Sequence, residues 1–300
     1  MDRTKVILDT DIGTDIDDAV ALAYLLEHPG CELLGITTVT GEAVKRASLA
    51  SALCRRAGKD VPIYPGAERP LLTEQRQRHA QQAAALAPWP HEKNFPSGEA
   101  VEFMRATIRR HPGEVVLLTV APLTNIGLLF SVDPAIPRLL KGLVMMCGRF
   151  FDPPPTGYGP VEWNAMVDAH ATQIVYQAPV PVHRSIGLDV THRVSMRPPE
   201  FRQAFAGFRL FDPILEWAEI WFRDWPGTTF HDPLAAAVVF EPNLCSFRRG
   251  NVRVALQPEE RYGSTDWTPD ETGGAHEVAA DVNSANFFEQ YLSVIGKGGR

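Results

Sequence analysis

Five aspartates crowd into one short segment near the beginning of the chain, LDTDIGTDIDDA. They are Asp9, Asp11, Asp15, Asp17 and Asp18. Carboxylates this close repel one another unless water or a hard cation compensates their charge, and Ca²⁺ takes about six to eight oxygen ligands. Helix capping would occupy one or two of these acids, but not readily all five. The segment therefore predicts a site for a divalent metal.

The spacing of the aspartates does not fit an EF-hand. Asp9 and Asp11 could be its first two ligands, but Gly13 stands where the third acid is needed. Val20 occupies the twelfth position, where an EF-hand loop has a bidentate glutamate. The segment is therefore not a self-contained calcium loop of that type.

Two further segments each place acids at the start of a predicted helix. One is His231-Asp232 before PLAAAVVF, and the other is EWNAMVD, with Glu162, Asn164 and Asp168. A carboxylate in such a position commonly accepts hydrogen bonds from backbone N–H groups. Taken alone, each segment is more typical of helix capping than of catalysis.

The Asp-rich segment joins a β-rich run, Lys5 to Asp9, to a helical pattern, Asp17 to His28. Strands and helices continue to alternate through CELLGITTVTG, the helix from Glu42 to Ala57, VPIYPG, GEAVEFMRATIRRH, EVVLLTV, LTNIGLLFSV and GLVMMCG. This alternation predicts an α/β fold, with a largely parallel open sheet flanked by helices. Because such sheets bind ligands at the carboxyl ends of their strands, the aspartates lie where a site is expected.

Other parts of the chain are less regular. Residues 67–96 contain no convincing strand, and RFFDPPPTGYGPVEWN is too rich in proline and glycine for regular structure. PVPVHRSIGLDV is predicted as a strand, residues 198–230 as a small helical elaboration, and the tail as a strand (NVRVALQ), a polar turn, a strand (HEVAADV) and a helix. We expect one domain over residues 1–300.

Composition excludes several classes of partner. With 29 Lys+Arg against 36 Asp+Glu, the net charge of −7 gives no excess of positive charge for a nucleic-acid backbone. No stretch is apolar for the ~18 residues of a membrane span, and the N-terminus lacks a signal-peptide core. The four cysteines are widely separated, which is typical of reduced thiols. We therefore expect a cytoplasmic protein.

Several segments, in order along the chain, resemble the inosine/uridine-type nucleoside hydrolase family. They are the Asp cluster followed by ALAYLLEHPGCELLGITTVTG, then LLTVAPLTNIGLL, LVMMCG, EWNAMVDAHA, IGLDVTHRV and HDPLAAAV. An ordered set of segments is more specific than any one of them. The resemblance implies a Rossmann-like core and Ca²⁺-dependent hydrolysis of the N-glycosidic bond of ribonucleosides, a step of purine and pyrimidine salvage.

The resemblance also implies roles for individual residues. Asp11 corresponds to an acid that ligates calcium and activates the attacking water. The implied calcium ligands are Asp11, Asp18, the backbone carbonyl of Val120, and Asp232. The implied substrate contacts are Asp17, Glu162 and Asn164 at the ribose and His231 beside the leaving base.

These roles agree with the chemistry of the reaction. Cleaving an N-ribosidic bond builds positive charge on the sugar, which nearby carboxylates stabilise. Calcium chelated by the ribose 2′ and 3′ hydroxyls would fix the sugar and lower the pKa of a water that Asp11 can deprotonate. His231, expected to titrate near neutrality, could give the leaving base a proton or a hydrogen bond.

Two departures from the family pattern affect the substrate side. The Asp loop is two residues longer than DxDxGxDDA, so the choice between Asp15 and Asp17 as the ribose contact stays open. The family's His-Gly segment is replaced by QRQRHAQQ, where His79 could substitute for the histidine or could belong to a solvated helix face. The preferred base is not predicted.

Two other functions remain as alternatives. A calcium-dependent nucleoside or sugar binding protein without turnover would agree with the altered segment around His79, whereas Asp11 and His231 favour an enzyme. A haloacid-dehalogenase-like phosphatase also begins with Asp-x-Asp after a strand, but no suitable later lysine and paired acids follow. By analogy with the family, we expect a homodimer or homotetramer.

Overall fold

A nine-stranded sheet runs through the computed structural model, which describes residues 3–151 and 153–297. Its strands are β1 (Thr4–Thr10), β2 (Cys31–Thr38), β3 (Ile63–Pro65), β4 (Val115–Thr119), β5 (Gly142–Met145), β6 (His183–Ser185), β9 (Cys245–Val254), β10 (Thr265–Pro269) and β11 (His276–Val282). A separate two-stranded sheet pairs β7 (Ser195–Met196) with β8 (Thr228–Thr229).

Helices connect most of these strands. They are α1 (Asp17–Glu27), α2 (Ala43–Arg56), α3 (Ala100–Arg110), α4 (Thr124–Val132), α5 (Ile136–Leu139), α6 (Trp163–Val167), α7 (Ala169–Tyr176), α8 (Leu188–Thr191), α9 (Pro198–Phe205), α10 (Phe211–Trp221), α11 (His231–Val238) and α12 (Ser284–Lys297). Among the described residues, none of the helices has both the length and the apolar character needed to cross a membrane.

The strand order is β10-β9-β11-β6-β5-β4-β1-β2-β3. Neighbours from β3 to β11 pair in parallel, and β9 runs antiparallel to both β11 and β10. The prediction of a largely parallel α/β sheet is therefore confirmed. β1 lies between β2 and β4, so the Asp-rich loop leaves the sheet at an interior strand.

Alternating side chains of β1 enter two different cores. Val6 and Leu8 join a cluster that includes α1, α11 and α12, whereas Ile7 joins a cluster that includes α3, α4 and α7. Successive residues of a strand point to opposite faces, so both faces of this sheet are covered. Burial on both faces holds β1 rigidly, and with it the start of the Asp-rich loop.

Two predictions about strands were wrong. PVPVHRSIGLDV is a strand only at β6, because the chain turns at Gly187 and then forms α8. A Cβ on Gly187 would lie 2.6 Å from the carbonyl oxygen of Gly148, so this crossing requires glycine. The polar turn predicted after NVRVALQ contains the edge strand β10, which ends at Pro269, as edge strands tolerate.

Two regions lie outside the main alternation of strands and helices. Residues 67–96, here called the flap, contain a short 3-10 helix (Gln81–Ala85) and no described strand. The elaboration at residues 198–230 consists of α9, α10 and the second strand of the β7–β8 pair. The flap runs beside the Asp-rich loop, as its hydrogen bonds show below.

Candidate active site

Two helix N-termini bring three carboxylates together. Asp17 and Asp18 lie in the first turn of α1, and Asp232 lies in the first turn of α11. One oxygen from each lies within 4.8 Å of the others, and all three residues are buried. The backbone N–H of Asp232 donates to Oδ2 of Asp17 at 3.1 Å. The partial positive charge of both helix ends favours acids at this point.

Asp18 also holds the loop that follows β1, through two hydrogen bonds. Its Oδ1 accepts hydrogen bonds from Thr10 Oγ1 at 2.5 Å and from the backbone N–H of Asp11 at 3.2 Å. Asp11 is therefore held next to the three convergent carboxylates, although its own carboxylate is not one of that group. The structure thus brings Asp232, which only the family resemblance implied as a ligand, to the Asp-rich segment that predicted the metal site.

The other two aspartates of the loop, Asp9 and Asp15, each accept hydrogen bonds elsewhere. Asp9 Oδ1 accepts from Thr37 Oγ1 at 2.5 Å and from Asn125 Nδ2 at 2.8 Å, which ties β1 to β2 and α4. Asp15 Oδ1 accepts from the backbone N–H of Ile16 at 2.6 Å, beside the start of α1. Of the two alternatives left open by the sequence, Asp17 joins Asp18 and Asp232, and Asp15 does not.

The cluster carries more negative charge than its surroundings compensate. Burial, reinforced by the neighbouring aspartates, raises the pKa of Asp17, Asp18 and Asp232 well above the usual range. Burial likewise raises the pKa of Asp9 and Asp15 to about 7. Hard oxygen donors that cannot all ionise without a counter-charge are a donor set that fits a divalent cation.

The buried guanidinium group of one arginine holds the backbone of the Asp-rich loop. Arg46 of α2 is fully buried and donates to the carbonyl oxygens of Asp11 and Ile12, and to Thr14 Oγ1 at 3.1 Å. Sequence analysis missed this residue. A signal was present, because Arg46 lies at helical spacing among the buried alanines of α2, where a charge requires partners.

Glu162 and Asn164 lie at the carboxyl edge of the sheet. The Glu162 carboxylate accepts from the backbone N–H groups of Gly148 at 3.0 Å, Asn164 at 2.6 Å and Ala165 at 2.9 Å, so it caps α6. Asn164 Nδ2 donates to the carbonyl oxygens of Met146 at 3.0 Å and Val120 at 3.3 Å. Asp168 caps α7 in the same manner, so the capping interpretation of this segment is confirmed.

His231 is the first residue of α11. Its Nδ1 lies 2.7 Å from Thr191 Oγ1, and its Nε2 lies 3.4 Å from the Tyr158 hydroxyl. Burial, with a smaller contribution from His192, lowers the pKa of His231 to about 3. The expectation that His231 titrates near neutrality was therefore wrong, and the imidazole is neutral at pH 7.

The flap contributes Gln77 to the loop and leaves His79 outside. The His79 side chain is 72% exposed, and its Nδ1 lies 3.6 Å from Glu42 Oε1. Gln77 is buried, and its Nε2 donates to Asp11 Oδ2 at 2.5 Å. The structure therefore does not bring His79 to the aspartates. Nothing in the polar run QRQRHAQQ distinguished Gln77 from its solvated neighbours.

Sequence comparison gives a family match over most of the chain. Residues 6–289 match the family described as "Inosine-uridine preferring nucleoside hydrolase". The chain is 31% identical over 286 residues to an uncharacterized protein of Schizosaccharomyces pombe, covering 88% of this chain and 89% of that relative. It is 27% identical over 270 residues to uridine nucleosidase 1 of Arabidopsis thaliana, covering 84% and 79%.

Structural comparison agrees on the fold. The chain superposes on a structure titled purine-preferring ribonucleoside hydrolase from Gardnerella vaginalis with a TM-score of 0.81. The sequence identity is 24%, and the superposition covers 98% of this chain and 99% of the other.

Proposed function

Because this chain belongs to the inosine-uridine preferring nucleoside hydrolase family, we propose that it hydrolyses ribonucleosides to ribose and free base with the aid of Ca²⁺ and Asp11. The observation that supports this most directly is the convergence of Asp17, Asp18 and Asp232 beside Asp11. Family membership makes the chain an N-ribosyl hydrolase; the metal and the residue roles are our proposal.

Asp18 and Asp232, with Asp11 and the carbonyl of Val120, are the proposed calcium ligands. All four residues are buried at the carboxyl edge of the sheet, and all offer hard oxygen donors. A bound divalent cation would supply positive charge that orients hydroxyl groups and acidifies water. The pKa values of Asp18 and Asp232 stay raised although Arg46 lies beside the loop, so the described surroundings do not fully compensate these carboxylates, which supports a cation at this point.

Asp11 is the proposed general base. It takes a proton from water as the water oxygen bonds to the anomeric carbon, and the bond from that carbon to the base nitrogen breaks. The electron pair of this bond leaves with the base, which takes up a proton to become the free base. The reaction consumes one water molecule and yields ribose.

The other residues hold the substrate. Asp17 and Asn164 supply polar groups for the ribose, and Glu162 keeps the start of α6 in place for Asn164. Anionic groups around the sugar stabilise its positive charge as the bond breaks. His231, neutral and held by Thr191, is proposed to give a hydrogen bond to the base.

The test is release of reducing sugar from uridine, inosine and nicotinamide riboside by the purified protein. We expect ribose release that EDTA removes and added Ca²⁺ restores. Release that EDTA leaves unchanged would contradict the metal role. No release from any substrate, with nucleoside binding detected by calorimetry, would instead identify a binding protein without turnover.

A parallel assay with p-nitrophenyl phosphate and Mg²⁺ tests the phosphatase alternative. We expect no release of p-nitrophenol, because the chain offers oxygen ligands for a hard cation without the later lysine of those phosphatases. Phosphatase turnover, together with inactivity towards nucleosides, would overturn the proposed function.

A further inference from the structure

Gln77 is a buried side chain in an otherwise polar and largely exposed part of the flap. It is 7% exposed, whereas its neighbours Arg76 and Arg78 are exposed. Its carbonyl oxygen accepts a hydrogen bond from the backbone N–H of Gly41 at 3.1 Å. A Cβ on Gly41 would lie 2.4 Å from the carbonyl oxygen of Arg78, so the two backbones are packed closely. The backbone of Gln77 is therefore fixed at this point.

Every polar atom of the Gln77 amide has a partner. Nε2 donates to Asp11 Oδ2 at 2.5 Å and to Thr14 Oγ1 at 3.0 Å. Oε1 accepts from the indole Nε1–H of Trp163 at 2.9 Å. Because an indole N–H can only donate, the amide oxygen must face Trp163 and the amide nitrogen must face Asp11. Exchanging the two amide atoms would break this arrangement.

Thr14, in the Asp-rich loop, is the second acceptor for the Gln77 amide nitrogen. Its hydroxyl accepts from Gln77 at 3.0 Å and from Arg46 at 3.1 Å, and it donates to the carbonyl oxygen of His79 at 3.3 Å. A hydroxyl has one donor and two acceptor positions, so its capacity is filled. The hydroxyl holds Gln77 at a fixed distance from Asp11.

We propose that Gln77 is a positioning residue that locks the rotation of the Asp11 carboxylate, so that Oδ2 is engaged and Oδ1 receives the proton of the attacking water. This inference rests on the proposed function, because it concerns the same general base. The carboxylate of an aspartate turns easily about its last bond, and a fully satisfied amide removes that freedom. Gln77 itself takes no part in proton transfer.

The test compares Gln77→Leu with a matched variant of the same flap, Gln82→Leu. Gln82 is fully buried, and its Nε2 donates to the carbonyl oxygen of Thr14 at 3.0 Å. Within the described residues, its amide makes no hydrogen bond to a carboxylate. Both variants remove a buried amide that holds the Asp-rich loop. Only Gln77→Leu frees Asp11, so the pair separates positioning from loop stability.

We expect Gln77→Leu to lower kcat on uridine with Ca²⁺ by ~10–100-fold, as loss of a partner that orients a functional group typically does. KM should change by less than about threefold, because substrate contacts remain. Gln82→Leu should keep kcat within about threefold, with a comparable fall in Tm. Equal kcat losses in the two variants, or a wild-type kcat in Gln77→Leu, would overturn the proposal.

A second measurement does not depend on turnover. The indole N–H resonance of Trp163, assigned by its absence in Trp163→Phe, should shift in Gln77→Leu and stay in place in Gln82→Leu. An unshifted resonance in Gln77→Leu would show that the amide does not hold this geometry in solution. A wild type that releases no ribose refutes the proposed function, and the positioning role with it; an active wild type with an equally active Gln77→Leu refutes only the positioning role.

Discussion

Two sets of buried carboxylates lie at the same edge of the sheet, and their surroundings differ. Glu162 and Asp168 accept hydrogen bonds from backbone N–H groups at the starts of α6 and α7, and Glu162 accepts a further one from Gly148. Asp17, Asp18 and Asp232 instead converge on one another, and the other aspartates of the loop add to the negative charge around them. Both sets are acids at helix N-termini, so sequence position alone does not distinguish them.

The difference indicates how each buried charge is compensated. Burying an ionised carboxylate is costly unless hydrogen bonds or an opposite charge offset the loss of water. Backbone N–H groups offset part of the cost of burying the capping pair: burial raises the pKa of Glu162, and its three backbone hydrogen bonds act against that rise. These residues therefore serve the fold. The three convergent acids lack an equal compensation within the described residues, which is why we assign them to a ligand. Each prediction below tests one side of this distinction.

The largest effect is expected at Asp11, which adjoins the convergent acids. Asp11→Asn keeps the shape of the side chain but cannot take a proton, so kcat on uridine should fall by ~10²–10⁴-fold. Reducing-sugar release measures this, and circular dichroism should show an unchanged fold. The exposed Asp60→Asn serves as the control and should match the wild type. An Asp11→Asn protein with more than half of the wild-type kcat would contradict the assignment.

The next largest effect is expected in the pH dependence of metal-free stability, which reports the buried carboxylates of the Asp-rich loop. A carboxyl group whose pKa is higher in the folded than in the unfolded protein binds its proton more tightly when folded, so the free energy of unfolding falls as pH rises between the two values. For Asp9 and Asp15 this window runs from 3.8 to about 7. In EDTA, stability should therefore decline by on the order of 1–3 kcal/mol from pH 4.5 to 7.5.

Urea unfolding at several pH values measures this decline. Ca²⁺ should reverse it at pH 7.5, because a bound cation compensates the ionised carboxylates. Asp232→Asn removes one charge from the cluster and should give a shallower decline in EDTA. A metal-free stability that rises with pH over this range would contradict the view that the cluster is uncompensated.

A smaller effect is expected on the capping side. Glu162→Ala leaves three buried N–H groups without their acceptor, so the free energy of unfolding should fall by ~1–3 kcal/mol in EDTA as well as in Ca²⁺. Glu99→Ala is the matched control, since Glu99 precedes α3 but makes no capping hydrogen bond with its side chain. It should cost less than about 0.5 kcal/mol. Equal losses in the two variants would remove the capping role of Glu162.

The smallest effect is expected at Asp15. Its side chain bonds to the backbone of its own turn, and an asparagine keeps that acceptor, so Asp15→Asn should change kcat/KM by less than about threefold. Asp17→Asn should lower it by roughly tenfold or more, because Asp17 lies with Asp18 and Asp232. Steady-state kinetics on uridine measure both, and a reversed order would move the ribose contact to Asp15.

Much of the fold was predictable because its buried strands are apolar runs. EVVLLTV and GLVMMCG needed only their composition to be recognised as strands. β10 was not predictable in this way, because TDWTP is mostly polar and becomes a strand only by pairing with β9 at the sheet edge. β6 was overextended because apolar residues continue past it into α8.

The candidate site likewise has a part that the sequence predicts and a part that it does not. The aspartates were recognisable because five acids in ten residues are unusual in any context. Their meeting with Asp232, 215 residues from Asp17, depends on the packing of α1 against α11, which no local pattern encodes. Gln77 was unpredictable for a different reason: its partners Asp11 and Trp163 belong to other segments, and a glutamine in a polar run looks solvated.

The Thr14 hydroxyl joins the Asp-rich loop to the flap, because it accepts a hydrogen bond from Gln77 and donates one to the carbonyl oxygen of His79. Exchanging the flap to alter the preferred base would therefore leave the side chains of Arg46 and Thr14 without their hydrogen-bond partners in the flap. Shortening the loop alone would likewise leave the Gln77 side chain without its partner Thr14. Grafts between relatives should therefore transfer the loop and the flap together. Chimeras that carry only one of these two segments should express poorly or lose activity.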